Sequence, residues 1–289
     1  MKMTLNKLIK YSFSLLIAGT FMTSCDKVDE PFTKQVFIDT THVEHQKRVL
    51  LEDYTGHMCT NCPTAAVIAE KLKNNYGDKL VLLSIHAGPF ANAPGGDFAD
   101  DFTTEAGDAW DTYFGISNVG NPKGMVNRIG YPILDHILAP DGWSGAVSKA
   151  LKESAKVDLR ITNTYNADTR KLTSTIDIEF VETIDENLKL IVVLCESGII
   201  APQKNNDKTI GPTPIIFDYE HNNMLRASIT TGTWGVPIAE EGTVNPETLQ
   251  KSFNYTLGSA FNADKCKVVA FIYDTETNEV LQVAEKAVK

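Results

Sequence analysis

The feature that most constrains this chain is the stretch Leu50-Leu-Glu-Asp-Tyr-Thr-Gly-His-Met-Cys-Thr-Asn-Cys-Pro63. A strand-like run ends at a glycine turn, a Cys-x-x-Cys pair follows, and Pro63 then opens an amphipathic segment. In that segment Ala65, Ala66, Ile68, Ala69 and Leu72 recur at helical spacing, and Tyr76-Gly77 marks its end. Pro63 suits a first helical turn, where its missing N–H would have no partner anyway. Two thiols at a helix N-terminus lie beside unpaired backbone N–H groups and the positive end of the helix dipole. That setting lowers a cysteine pKa and makes Cys59 and Cys62 candidates for thiol–disulfide exchange. An inert disulfide stapling a surface turn is the alternative.

The first residues do not belong to the globule. Lys2, Lys7 and Lys10 precede the apolar run Tyr11–Met22, which is too short to span a bilayer and reads as a secretory signal. Thr23-Ser24 before Cys25 resembles the lipobox of bacterial lipoproteins, which implies lipidation of Cys25 after removal of residues 1–24. Cleavage removes three lysines and leaves 24 basic against 37 acidic residues, a net −13. So acidic a body repels nucleic acid and anionic head groups, so no nucleic-acid partner is expected and membrane attachment rests on the Cys25 lipid. The remaining cysteines then sit outside the cytoplasm, where disulfides persist. Residues 25–47 are polar and acidic and read as a tether, with a short strand near Gln35–Ile38.

Arg48–Tyr54 reads as a buried strand, and Lys79–His86 is a continuous apolar run of the kind covered on both faces. Strand, helix and strand at this spacing form a βαβ unit with parallel strands. Ala87–Ala99 is a long Gly/Pro-rich loop, of a length more often functional than decorative. Helices are expected over Thr104–Phe114 and Gly142–Ser154, and a strand after Pro122. From Lys156 the character changes. Val157–Tyr165, Leu172–Val181, Leu188–Glu196, Arg226–Thr231, Gln250–Leu257, Lys267–Asp274 and Glu279–Glu285 read as strands, and Gln203–Asn223 as a long polar loop. The expectation is an α/β domain over 48–155 followed by an all-β, immunoglobulin-like sandwich over 156–289.

Two further cysteines have open fates. Cys195 ends one apolar run and Cys266 opens another, so they either cross-link two strands or remain buried thiols. A metal reading competes at the pair itself: Cys59, Cys62, His57 and His86 offer thiolate and imidazole ligands suited to copper(I) or zinc. No organic cofactor is expected. Substrate thiols or a protein partner are.

Residues 48–154 resemble the thioredoxin superfamily through the order strand, Cys59-x-x-Cys62, helix, strand, helical insertion, and a proline opening the next strand. The resemblance implies a cis peptide before Pro122, lying against the cysteine pair. Asp53, six residues before Cys59, stands at the offset of the buried acid that thioredoxins use to manage the second cysteine's proton; Glu52 beside it competes for that role. Met58 and Thr60-Asn61 depart from that family's usual Trp and Gly-Pro, which leaves the direction of exchange open. The signal segment, Tyr54–Pro63, Gly120-Asn-Pro-Lys-Gly-Met-Val-Asn-Arg128 and His221-Asn-Asn-Met-Leu-Arg-Ala-Ser228 occur together. The whole resembles the Bacteroidetes outer-membrane lipoproteins named for a member of about 28 kDa. That implies an outer-membrane location and a thioredoxin-like domain followed by a β-sandwich. A non-catalytic surface-binding or assembly protein on the same scaffold is the rival function.

Overall fold

The computed structural model describes residues 45–133, 135–239 and 248–289. The expected signal segment, the lipidation at Cys25, the strand near Gln35–Ile38 and most of the tether lie outside the described residues.

β1 (Val49–Thr55) is buried along its whole length because a core covers each of its faces. Leu50 and Tyr54 enter one core; Val49 and Leu51 enter the other. α1 (Cys62–Tyr76) lays Ala65, Ala69 and Leu72 on that second core. β2 (Leu80–His86) returns parallel to β1, with Val49 opposite Leu80 and Thr55 opposite His86. The βαβ unit therefore forms as its periodicity predicts. α2 (Glu105–Phe114) starts where the Thr104 hydroxyl accepts from the Gly107 N–H, and it ends at Gly115 in the left-handed region. β3 (Lys123–Val126) runs antiparallel to β1, and α3 (Trp143–Ala150) packs Trp143 and Val147 into the second core.

The rest of the described chain is strands: β4 (Val157–Asn166), β5 (Lys171–Phe180), β6 (Leu188–Glu196), β7 (Ile199–Lys204), β8 (Ile215–His221), β9 (Met224–Ser228), β10 (Val236–Ala239), β11 (Thr248–Thr256), β12 (Cys266–Asp274) and β13 (Val280–Ala287). They do not make a self-contained sandwich. β4, β5 and β11 form one sheet, whereas β6, β9, β12 and β13 continue into β2, β1 and β3 in the order β13-β12-β6-β9-β2-β1-β3. The sheet thus crosses the expected boundary near residue 155, and Glu44–Lys289 is one compact unit. The junction is β9. Met224 lies opposite Ser84, and the Ser84 N–H donates to the Asn223 carbonyl at 2.8 Å. That contact covers an edge of β2 that would otherwise present unpaired backbone groups.

The small sheet stacks on one face of the large one. Ile176, Ile178 and Phe180 of β5 meet Leu190, Val192 and Leu194 of β6 and Val268 and Ala270 of β12. On the opposite face, Ile191, Val193, Val269 and Phe271 share a core with Leu50, Tyr54 and Trp110. The large sheet curls around this inner core until its two ends meet, where the Val280 N–H donates to the Asn127 carbonyl at 2.9 Å. The same geometry decides the fate of the two remaining cysteines. Cys195 pairs with Lys267 and Cys266 with Glu196, so the two thiols project to opposite faces. Both are free and buried, and the cross-link considered for them does not form.

Inside the curl sits a fully buried ion pair. Arg128 donates from Nε and Nη2 to the two carboxylate oxygens of Glu52 at 2.9 and 2.7 Å. The rings of Trp110, Phe114, Phe271 and Tyr273 surround the guanidinium at 4.9–5.7 Å. Burial alone would lower the arginine pKa; the adjacent Glu52 carboxylate outweighs it, and the pKa stands above its ordinary value. Removing one partner of such a pair leaves the other charged and unpaired, which costs about 3–5 kcal/mol. Glu52→Gln is expected to lower unfolding free energy in urea by that amount; a loss under about 1 kcal/mol would show that the pair is not held charged.

Candidate active site

The two cysteines stand at the C-terminal end of β1, in the turn that leads into α1. Cys62 is the first residue of α1, Pro63 follows in its first turn, and that turn carries no acidic side chain. Cys59 and Cys62 are joined in a disulfide, and each is 2% exposed. Two segments cover them. The Gly/Pro-rich loop folds over one side, where the Met58 N–H donates to the Phe90 carbonyl at 3.0 Å. A side chain at Gly56 would collide with the Phe90 backbone, so this close approach requires glycine.

The other cover comes from the β7–β8 hairpin, which begins at Ile199 and runs through most of the stretch Gln203–Asn223 read from sequence as a polar loop. Gln203 Nε2 donates to the Cys59 carbonyl at 2.8 Å and to the Gly56 carbonyl at 3.3 Å. The Lys204 N–H donates to the His57 carbonyl at 2.8 Å, and the Asn206 N–H to the Thr60 carbonyl at 3.1 Å. Asn206 Nδ2 adds a bond to Asn61 Oδ1 at 2.6 Å. The hairpin therefore pairs with the Cys-x-x-Cys loop much as an added strand would. The alternating apolar run Ile215-Ile-Phe-Asp-Tyr-Glu-His221 was the available signal for β8.

Behind the disulfide lies a cavity of about 30 Å³ whose wall includes Cys62, Asp53, His86 and His221. Asp53 reaches it by alternation: Glu52 points into the inner core with Arg128, and its neighbour must point the other way, towards α1. Of the two carboxylates, Asp53 is therefore the one that shares a cavity wall with Cys62. Asp53 has no charged partner, its Oδ1 meets no protein donor, and burial raises its pKa from 3.8 to about 7. It also lines a larger cavity of about 240 Å³ beside Glu70 and Asn223. Pro122 precedes β3 by one residue, where Lys123 pairs with Tyr54, and the Asn121–Pro122 peptide is cis.

Of the residues considered as metal ligands, His57 and His86 have ring centroids 6.4 Å apart. His57 Nε2 lies 2.7 Å from the Asn92 carbonyl. Among the described residues, the one group of three or more such side chains with ligand atoms within 4.8 Å is His45, Asp158 and Glu179, away from the cysteines. Cys59, Cys62, His57 and His86 are not gathered to that distance. Reading the sequence missed His221, which stands 5.3 Å from His86 between ring centroids. Burial and the neighbouring histidines push the His86 imidazole well below its ordinary pKa, with a smaller push from Arg226. Burial and His57 push His221 down to about 4, against a hydrogen bond to the Ala201 backbone.

The family match comes from the other side of the site. The description "Outer membrane protein Omp28" matches residues 107–289, more than half of the chain. The chain belongs to the Omp28 family. Its place is accordingly the outer membrane. The matched residues include Pro122 and His221 but begin after the Cys-x-x-Cys pair. No curated protein matches the chain. A solved structure of an Agrobacterium tumefaciens protein shares the fold at a TM-score of 0.50 with 11% identity, covering 84% of this chain and 96% of that one. A domain of the outer membrane lipoprotein Omp28 from Porphyromonas gingivalis is 23% identical, covers 47% of this chain and 89% of its own, and superposes at a TM-score of 0.32. No helix among the described residues is long and apolar enough to cross a membrane.

Asp53 makes stability depend on pH. Between its unfolded pKa near 3.8 and its folded value of about 7, the unfolded chain releases a proton that the folded one keeps, so stability falls as pH rises. Asp53→Asn should therefore gain on the parent progressively from about pH 4, by up to about 4 kcal/mol above pH 7. Urea unfolding across that range checks it, and a pH-independent difference would refute the buried protonated carboxyl.

Proposed function

We propose that this is a lipid-anchored outer-membrane protein whose Cys59–Cys62 pair exchanges disulfides with another protein. The observation that carries the reading is Asp53, a buried carboxyl with a pKa raised to about 7 that shares a cavity wall with Cys62. Cys59 is the attacking thiolate of the reduced form, favoured by the α1 N-terminus and the absence of acid in its first turn. It attacks a substrate disulfide, one substrate sulfur leaves as thiolate and takes a proton, and a mixed disulfide remains. Asp53 then accepts the Cys62 proton, and the Cys62 thiolate displaces the second substrate sulfur. The larger cavity beside Asp53 gives that proton a way out to water. In this reading β1, α1, β2 and β3 act as a thioredoxin-like element built into the larger sheet, and Pro122 offers backbone to the substrate segment.

Burial of both cysteines requires the Gln203–Asn206 segment to move aside before a partner docks. The same burial favours a second reading, a surface-binding lipoprotein in which the disulfide is a staple. The reduction potential separates them. A value of roughly −120 to −270 mV by thiol trapping in glutathione buffers fits exchange, and one below about −300 mV fits a staple. In an insulin-reduction assay, Cys59→Ser should abolish turnover. Cys195→Ser should leave it intact, since burial puts the Cys195 thiol at about 12. Gln203→Ala removes two of the clasping bonds and should speed disulfide opening by dithiothreitol about three- to tenfold; an unchanged rate would mean the clasp does not limit access.

A further inference from the structure

The larger cavity, of about 240 Å³, is a crevice between α1 and the end of β8, and its lining is built for more than the passage of a proton. Asp53 reaches it from β1, Glu70 from α1 and Tyr219 from β8. Asp53 is 4% exposed, and its Oδ1 has no protein partner. Buried polar atoms in folded proteins are nearly always paired, so an unmet oxygen on a cavity wall points to something that fills the cavity. Glu70 accepts from Asn223 Nδ2 at 2.8 Å and pairs with no cation among the described residues. Lys71, the one cation on the wall, is exposed and pairs with no carboxylate among the described residues. Both carboxyls bear on Tyr219: burial first, then Asp53 and Glu70, push its phenol up to about 12. The rest of the wall is largely apolar, with Ala66 and Val67 from α1 and Leu82 from β2. A water would meet Asp53 Oδ1, but it brings neither a positive charge for the carboxyls nor a stem for the apolar wall.

We propose that this crevice binds an alkylammonium group, either a lysine side chain or a small free amine, with its charged head on Asp53 and its carbon stem along Ala66, Val67 and Leu82. An ammonium carries three donors and no acceptor, which suits a wall whose polar groups include two carboxyls and a phenol oxygen. Binding needs the Asp53 carboxylate. The free carboxyl titrates at about 7, so below that pH the ammonium displaces a proton to solvent, and above it finds the carboxylate ready. Affinity therefore rises with pH towards 7 and levels off beyond it. The other titratable groups facing Asp53 are Glu70 and Lys71 of α1, Tyr219 and Glu220 of β8, and Cys62, His86 and His221 across the smaller cavity. Cys62 is tied in the disulfide, and burial keeps both imidazoles neutral near pH 7. The crevice is complete with the disulfide closed, so the inference does not rest on the exchange reading.

The test is titration of the oxidised full chain with n-butylammonium at constant ionic strength, read by backbone amide NMR shifts, with n-butanol as the uncharged control. Butylammonium should bind saturably and at least about tenfold more tightly than butanol. It should also bind about tenfold more tightly at pH 8 than at pH 6, the ratio of ionised Asp53 at the two values. Asp53→Asn should weaken binding about tenfold or more and remove the pH dependence. Glu70→Gln, which keeps the acceptor for Asn223, should weaken binding about threefold and leave the pH dependence in place. Nα-acetyl-lysine methylamide separates the two sources: binding at least as tight as butylammonium assigns the crevice to a partner's lysine, and weaker binding assigns it to a free amine. No saturable binding, equal binding of butanol and butylammonium, or an Asp53→Asn variant that binds like the parent would overturn the site. Because the titration uses the closed disulfide, its result stands whether or not Cys59→Ser abolishes exchange.

Discussion

The Glu52–Arg128 pair fixes the orientation of everything around it. A carboxylate and a guanidinium with no exposure to solvent are tolerable only together, with both oxygens and two donors engaged. Their pairing commits Glu52 to the inside of the curled sheet. Strand alternation then commits Asp53 to the outside, where the cysteines and α1 are. A one-residue slip of β1 would exchange the two carboxylates, placing Asp53 against Arg128 and Glu52 against the disulfide. The register of β1 against β2 and β3 and the aromatic box around Arg128 oppose that slip.

The site itself is a joint product of both halves of the chain. Residues 53–62 bring the sulfurs and the acid, residues 88–92 cover one side, and residues 203–206 cover the other. β9 supplies the mechanical link, because it pairs with β2 on one side and β6 on the other. His221 precedes β9 by three residues, so the contact that fuses the sheets also brings His221 to His86.

Local patterns carried much of this. The run Leu80–His86, the helix after Pro63 and the alternation in Lys171–Phe180 announce their elements because each is set by burial on one or two known faces. The Asn121–Pro122 peptide is cis, as the resemblance implied. What could not be read was partnership between strands far apart. Nothing in Met224–Ser228 says that its neighbour is Ser84, so the two halves were expected to be separate domains. The β7–β8 hairpin was hidden for a different reason: Pro202 sits at a bulge, and the strands flank a long polar turn that breaks the alternation. With the hairpin unread, His221 could not be placed beside His86.

The clasp over the disulfide has a consequence in time. Gln203 and the carbonyls it holds are separated by 144 and 147 residues, so the cover forms only after the chain has closed a very long loop. Crossing a membrane N-terminus first, the polypeptide delivers Cys59 and Cys62 well before Gln203 arrives. In that interval the pair is open to the oxidants of the compartment it enters. The hairpin that covers the pair is therefore the last part of the site to be put in place.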